Sequence, residues 1–206
     1  VRYGVTRNQV YAVQIVTPYG DIVDLGSPLK KCSTGYCMEQ LVIGSEGTLG
    51  IITQVTLKLQ PLPPYKIDML AIFHDQMAAI GVVPQLVKAG IDPTSIEYMD
   101  NPNVRTTSEY LEFPGAPHIE DGIYVIITIE TFNEDELDMK MEQASDICEA
   151  AGAVDVLEAD ERIWSMRRNC LESVSLISKV CTTDDVVVPV DEMSDMIQYI
   201  IKTCLL

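Results

Sequence analysis

Apolar and polar residues alternate with a period of two along several stretches of the chain, and each such stretch predicts a strand. Val10 to Val16 is a β-branched and aromatic run, Thr17-Pro18-Tyr19-Gly20-Asp21 supplies turn chemistry, and Ile22 to Leu25 returns. That order predicts a hairpin. Val55, Leu57 and Leu59 alternate with Gln54, Thr56 and Lys58, the pattern of a half-buried strand. Ile67, Met69, Ala71 and Phe73 predict a further strand, as do Ser95 to Met99, Val154 to Leu157 and Val186 to Val190. The clearest alternation sets Ile123, Val125, Ile127 and Ile129 against Tyr124, Thr128 and Glu130.

Helical periodicity lies between these strands. A short helix is predicted at about Tyr36 to Leu41, and another from Gln76 to Ala89, kinked or divided by Pro84. Leu137, Met141, Ala144, Cys148 and Ala151 recur at a 4-3-4-3 spacing, with a cap near Asn133 and a stop at Gly152. Asp160 to Ser178 predicts a further helix, and Met193, Met196, Ile197, Ile200, Ile201 and Cys204 share a last helical face. Asn101 to Pro117 reads as irregular with one helical turn. The alternation of strands and helices predicts an α+β sandwich with its helices on one face.

Pro61-Leu62-Pro63-Pro64 cannot pair into a sheet and reads as a linker. Charge changes at the same point. Residues 1–64 hold five basic and four acidic side chains, whereas the whole 206-residue chain holds 14 and 31, for a net charge of −17. Eleven Asp or Glu and a single Lys fall within residues 134–161. So acidic a second part excludes nucleic acid as a partner, because its phosphates would be repelled. The step marks a domain boundary.

Six cysteines without a C-x-x-C pair imply reduced thiols and a cytoplasmic setting. Cys148, Cys170 and Cys204 fall on apolar helix faces. No stretch approaches the length of a membrane span, and no signal peptide opens the chain. Without an initiator methionine, the chain enters mid-pattern and is expected to be an excised piece.

Candidate chemistry concentrates in Leu41 to Thr53, LVIGSEGTLGIIT, where Gly44, Gly47 and Gly50 are spaced three apart. Glycine permits positive φ and close approach to backbone N–H groups, so such a loop can cradle a strongly hydrogen-bonding ligand. It can equally be a tight connection between buried elements. It matches neither G-x-G-x-x-G nor the P-loop pattern, and a helix leads in where a Rossmann turn has a strand.

Together with Lys31, Thr34-Gly35-Tyr36 and Leu41, the run GSEGTLGIIT resembles the FAD-binding domain of the vanillyl-alcohol-oxidase/PCMH superfamily. Within it, the nearest likeness is to the FAD-linked D-2-hydroxyacid dehydrogenases, comprising the flavin subunit of glycolate oxidase and the D-lactate dehydrogenases. Cys37 and Met38 depart from that family's usual Asp-Leu. The resemblance implies the second part of a PCMH-type FAD-binding domain over residues 1–62. An incomplete ferredoxin-like substrate (cap) domain would follow over residues 63–206. It implies noncovalent FAD contacted by Ser45, Glu46, Gly47, Thr48, Gly50, Ile51 and Ile52. Backbone N–H groups of Glu46 to Gly50 and the Thr48 hydroxyl would face the cofactor.

In Trp164-Ser165-Met166-Arg167-Arg168 the resemblance assigns the substrate carboxylate to Arg167, a role suited to a guanidinium's paired N–H donors. Arg168 reads as a surface residue. Thr183 stands where some relatives carry a substrate-binding lysine. The family's base and divalent metal come from a histidine-rich motif outside this chain, and its pyrophosphate loop lies upstream. His74 and His118 fall in no ligand pattern and read as structural or solvated, so no catalytic or metal residue is assigned here. The isolated chain is therefore expected to be inactive and colourless. The implied partners are a small 2-hydroxyacid and an electron acceptor, whether an iron-sulfur subunit, an electron-transfer flavoprotein or a quinone, with membrane association only through such partners. An oligomer is also compatible. Two rivals are an alkylglycerone-phosphate synthase on the same fold and a non-catalytic interaction module.

Overall fold

The hairpin forms where turn chemistry separates two β-branched runs. Strand β1 (Val10–Val16) pairs antiparallel with β2 (Ile22–Gly26), Val16 opposite Ile22. Thr17 and Asp21 close the turn through Thr17 N to Asp21 O at 2.9 Å, and Gly20 takes φ +87°. Helix α1 (Met38–Val42) precedes β3 (Ile51–Leu57), which pairs antiparallel with the other edge of β1 to give the order β2-β1-β3. Val10, Val13, Ile15 and Val42 are buried together. β3 begins earlier than its alternation predicts and is not half-buried: all seven residues are exposed, Val55 at 49% and Leu57 at 52%. Pairing with β1 satisfies one edge of its backbone, but no helix of this unit covers its side chains.

The computed structural model describes residues 2–204 and comprises two units, Tyr3–Leu62 and Arg2 with Pro63–Leu206. The side chain of Cys204 lies outside the described residues. The second unit is built on four antiparallel strands: β4 (Tyr65–Phe73), β5 (Ser95–Met99), β6 (Ile123–Thr131) and β7 (Asp155–Glu158). Their order is β5-β6-β4-β7, which in this unit's own sequence is 2-3-1-4, the ferredoxin-like arrangement read from one edge. Helices α2 (Gln76–Lys88), α3 (Asn101–Tyr110), α4 (Glu134–Ala150), α5 (Glu161–Arg168), α6 (Cys170–Ser173) and α7 (Met193–Cys204) complete it.

Helices cover both faces of this sheet, not one. Met69, Ala71, Phe73, Val125 and Ile127 pack against Val82 and Leu86 of α2 and Ala144 and Cys148 of α4. Leu70, Ile72, Tyr124 and Ile126 pack against Val104 of α3 and Ile163 and Met166 of α5. Both side-chain sets of β4 and β6 are thereby buried, and Tyr124 occupies the face where alternation alone would put solvent.

Four further expectations are corrected or narrowed. Residues 101–110 form a regular helix, capped by Asp100, whose Oδ1 accepts from Asn103 N at 3.0 Å, with Pro102 in the first turn. Its buried face is Val104, Thr107 and Ser108, so it lacks an apolar stripe. The helix predicted over 160–178 breaks at Asn169, whose Nδ2 donates to Ser165 O at 2.8 Å, a local bond that competes with helix continuation. Residues 186–190 form no strand; Val187 is 94% exposed and Pro189 supplies no donor. Pro84 does not divide α2, which runs through it.

Two outcomes follow for stability. Phe73 is fully buried, so Phe73→Ala should cost about 3–5 kcal/mol in urea unfolding followed by circular dichroism. Asp160 caps α5 by accepting from Arg162 N at 2.9 Å and Ile163 N at 3.1 Å. Slight burial pushes its carboxyl up, but bonds from Arg162 and Ile163 and the Arg162 charge outweigh that and hold it below the usual 3.8. Asp160→Ala should therefore cost about 1 kcal/mol at neutral pH. A depressed folded-state pKa stabilises above the unfolded value and loses its effect as pH falls through the folded one. Urea midpoints of wild type and variant should converge in acid.

Candidate functional site

The glycine loop resolves into three different tasks. After α1 the chain turns at Gly44 (φ +88°), where a Cβ would lie 2.6 Å from Arg7 Nη2, the group that donates to Ile43 O. Gly50 is buried, and a Cβ there would stand 2.9 Å from Val16 O at the end of β1. Gly50 is close-packed scaffold, whereas Gly44 is exposed and meets only the tip of a flexible side chain. Gly47 is different: at φ +80° it follows Glu46 at φ +51°, and nothing lies within 4 Å of its missing Cβ. Thr48 N donates to Ser45 O at 3.0 Å and closes this turn, both of whose central residues have positive φ.

Thr48 spends its hydroxyl proton on Ser45 O at 2.7 Å, so it faces the loop as a clamp and retains only acceptor capacity outward. Ser45 N is likewise used, by Val42 O at 3.0 Å. Among the described residues no partner takes the N–H of Glu46 or Gly47. Ile51 and Ile52 open β3 and are 68% and 39% exposed. Two free N–H groups beside exposed isoleucines fit a flat cofactor with a polar edge and an apolar face. FAD has that chemistry. A cleft of about 540 Å³ in the same unit is lined by Tyr11, Lys30, Thr34, Gly35 and Tyr36, which include part of the motif upstream of the loop.

Arg167 lies in the last turn of α5 and does not stand alone. Its Nε and Nη2 donate to Glu97 Oε2 on β5 at 2.9 and 2.8 Å. This partner, 70 residues away, is invisible to helix periodicity. The pair uses one edge of the guanidinium, and the Cys170 thiol is a further neighbour of the group. Arg168 pairs with Glu161. Burial pushes the neighbouring Cys170 thiol up, against the opposing charge of Arg167. Trp164 Nε1 is buried without an acceptor among the described residues, and Lys66 Nζ lies 6.0 Å from its ring centroid. His74 and His118, separated in sequence, come together with Asp121.

The second unit is thus ferredoxin-like with a guanidinium on its fourth helix, and the first is three-stranded with an open glycine turn. The chain belongs to the FAD-linked oxidases: residues 62–204 match the family model described as FAD linked oxidases, C-terminal domain. It is 36% identical over 208 residues to a D-lactate dehydrogenase of Anaerostipes hadrus, covering 97% of this chain and 44% of that protein. It is 32% identical to glycolate oxidase subunit GlcD of Bacillus subtilis, covering 97% and 43%. The chain thus spans less than half the length of these relatives. Among solved structures, an alkyldihydroxyacetonephosphate synthase aligns with a TM-score of 0.63 at 21% identity, covering 85% of this chain and 34% of that one. p-Cresol methylhydroxylase aligns at 0.59 and 14%, covering 84% and 38%. These two likenesses define the fold.

The division of labour among the glycines is testable. Gly50→Ala meets backbone and should destabilise the Tyr3–Leu62 unit by more than Gly47→Ala, which carries only the left-handed backbone cost of about 1–2 kcal/mol. Equal urea midpoints for the two variants would show that Gly50 is not the packing residue.

Proposed function

We propose that this chain supplies the second part of the FAD-binding domain (residues 1–62) and the substrate domain (residues 63–206) of an FAD-dependent D-2-hydroxyacid dehydrogenase. Its substrate would be glycolate or D-lactate, oxidised to the 2-oxoacid. FAD, when bound, accepts the hydride, and the electrons pass to a separate acceptor, an iron-sulfur subunit, an electron-transfer flavoprotein or a quinone. Glu46 and Gly47 offer N–H groups to the cofactor, Ser45 and Thr48 hold their turn, Gly50 sets the loop against β1, and Ile51 and Ile52 give apolar contact. Arg167 receives the substrate carboxylate on the guanidinium edge that Glu97 leaves free. A divalent metal and the proton acceptor belong to residues outside this chain.

The observation that carries this reading is the Arg167–Glu97 pair. Glu97 fixes the guanidinium plane through one edge, so the other is oriented before a carboxylate arrives. A synthase acting on a phosphate-bearing substrate is the second reading, supported by the fold likeness. Residues 65–206, with nine basic against 27 acidic side chains, disfavour it.

In the full-length enzyme, Arg167→Met should lower kcat/KM for glycolate and D-lactate by the roughly 2–5 kcal/mol typical of truncating a charged contact. Arg167→Lys should recover only part, because a point charge replaces a fork. Steady-state kinetics with both acids check this, and an unchanged kcat/KM in both variants removes Arg167 from the substrate site.

A further inference from the structure

Both histidines of the chain meet at one end of the four-stranded sheet. β4 ends at Phe73, paired with Ile123 at the start of β6, so His74 follows directly and stands against the loop entering β6. β7 enters beside β4 with Asp155 opposite Ile72. Three separate segments therefore deliver His74, His118 with Asp121, and Asp155 to one place. His74 Nε2 lies 3.4 Å from Asp121 Oδ1, and His118 Nε2 lies 3.5 Å from Asp155 Oδ2. The two imidazole centroids are 5.8 Å apart. One ligand atom from each of His74, His118 and Asp121 lies within 4.8 Å of the other two.

The loop bearing two of these donors is pinned on several sides. His118 adopts φ +48°, the left-handed region that few non-glycine residues other than Asn, Asp and His enter. Its carbonyl accepts from Gly122 N at 2.6 Å, and Asn101 Nδ2 donates to Ile119 O and Gly122 O, each at 3.1 Å. The Tyr124 hydroxyl donates to Pro117 O from inside the core. Gly122 permits the approach, since a Cβ there would lie 2.6 Å from His118 O and 3.0 Å from His118 Cβ.

We propose that His74, His118 and Asp121 bind one divalent transition-metal ion of the zinc class, with Asp155 standing outside the three-donor cluster and orienting the His118 imidazole. Two imidazoles with a carboxylate select such an ion over Ca²⁺ or Mg²⁺, which prefer all-oxygen shells. Ligand bonds of about 2.0–2.2 Å in a tetrahedron set donor atoms roughly 3.4 Å apart. The His74–Asp121 pair at 3.4 Å already has that separation. The wider 4.8 Å span closes by rotation of side chains that are exposed rather than locked by packing. Such an ion ties the end of β4 to the loop entering β6, so it clamps the sheet end. The proposal does not rest on the hydroxyacid reading.

The test uses the 206-residue chain with the exposed Cys32, Cys37 and Cys181 alkylated under native conditions, so that accessible thiols cannot compete. Zn²⁺ is titrated by calorimetry and by imidazole ¹H–¹⁵N correlation, in which only two histidine systems exist. The expected result is one Zn²⁺ per chain, with both histidine systems shifting together and no response to Mg²⁺. His74→Ala and His118→Ala should each weaken binding at least about tenfold, by comparison with even outer-sphere changes at metal sites. Zn²⁺ should raise the unfolding temperature of wild type and not of His74→Ala, with circular dichroism showing that the variant is folded. Should either variant fail to fold, Asp121→Asn, at an exposed loop position, gives the same comparison. Unmoved histidine signals, a shift of only one histidine, or Zn²⁺ affinity unchanged in the folded variants would each overturn the proposal.

Discussion

The second unit depends on the pairing of β4 with β6. Nine residue pairs, from Tyr65 opposite Thr131 to Phe73 opposite Ile123, hold two strands whose side chains are buried on both faces. A one-residue slip would exchange the two faces and drive Leu70, Ile72 and Tyr124 into the space fitted to Met69, Ala71 and Phe73. Polar contacts support the same register: Thr128 Oγ1 donates to Asp68 Oδ1 at 2.6 Å, directly across the pair. The positions of chemical interest are set by this frame. β5, docked on β6, presents Glu97 to Arg167. The ends of β4 and β7 and the loop entering β6 bring together the histidines and their carboxylates.

In the first unit the constraint is the turn at Glu46-Gly47. Arg7 at Gly44, and Val16 at Gly50, fix the flanks of the loop, while Thr48 folds its own donors back onto Ser45. The N–H groups of Glu46 and Gly47 and the apolar start of β3 are left without a partner among the described residues. With the Thr48 hydroxyl spent on the loop itself, the proposed FAD contacts are made by backbone and isoleucine.

The strands and the α4 helix were legible because their signals are local: alternation at Ile123 to Ile129, the cap at Asn133, and the stop at Gly152, which takes φ +102°. The family was legible because ten residues at the loop are specific. The helix at 101–110 escaped because two of its three buried residues are Thr and Ser, and its start is marked only by Asp100 and Pro102. The break at Asn169 and the absence of a strand at 186–190 depend on side-chain bonding and on available sheet edges, which periodicity does not encode. The Glu97 partner of Arg167, the His74–His118–Asp121 convergence and the second helical layer are long-range consequences of strand order. No spacing rule contains them.

Arg167 and the glycine turn together make one central claim, that the enzyme to which this chain belongs removes a hydride from a D-2-hydroxyacid onto FAD. The direct measurement is anaerobic mixing of the full-length flavoprotein with D-lactate, glycolate or L-lactate while the oxidised flavin band is followed. The account predicts rapid bleaching by D-lactate or glycolate and little by L-lactate. A flavin that none of these acids bleaches, yet that dithionite reduces fully, would contradict it.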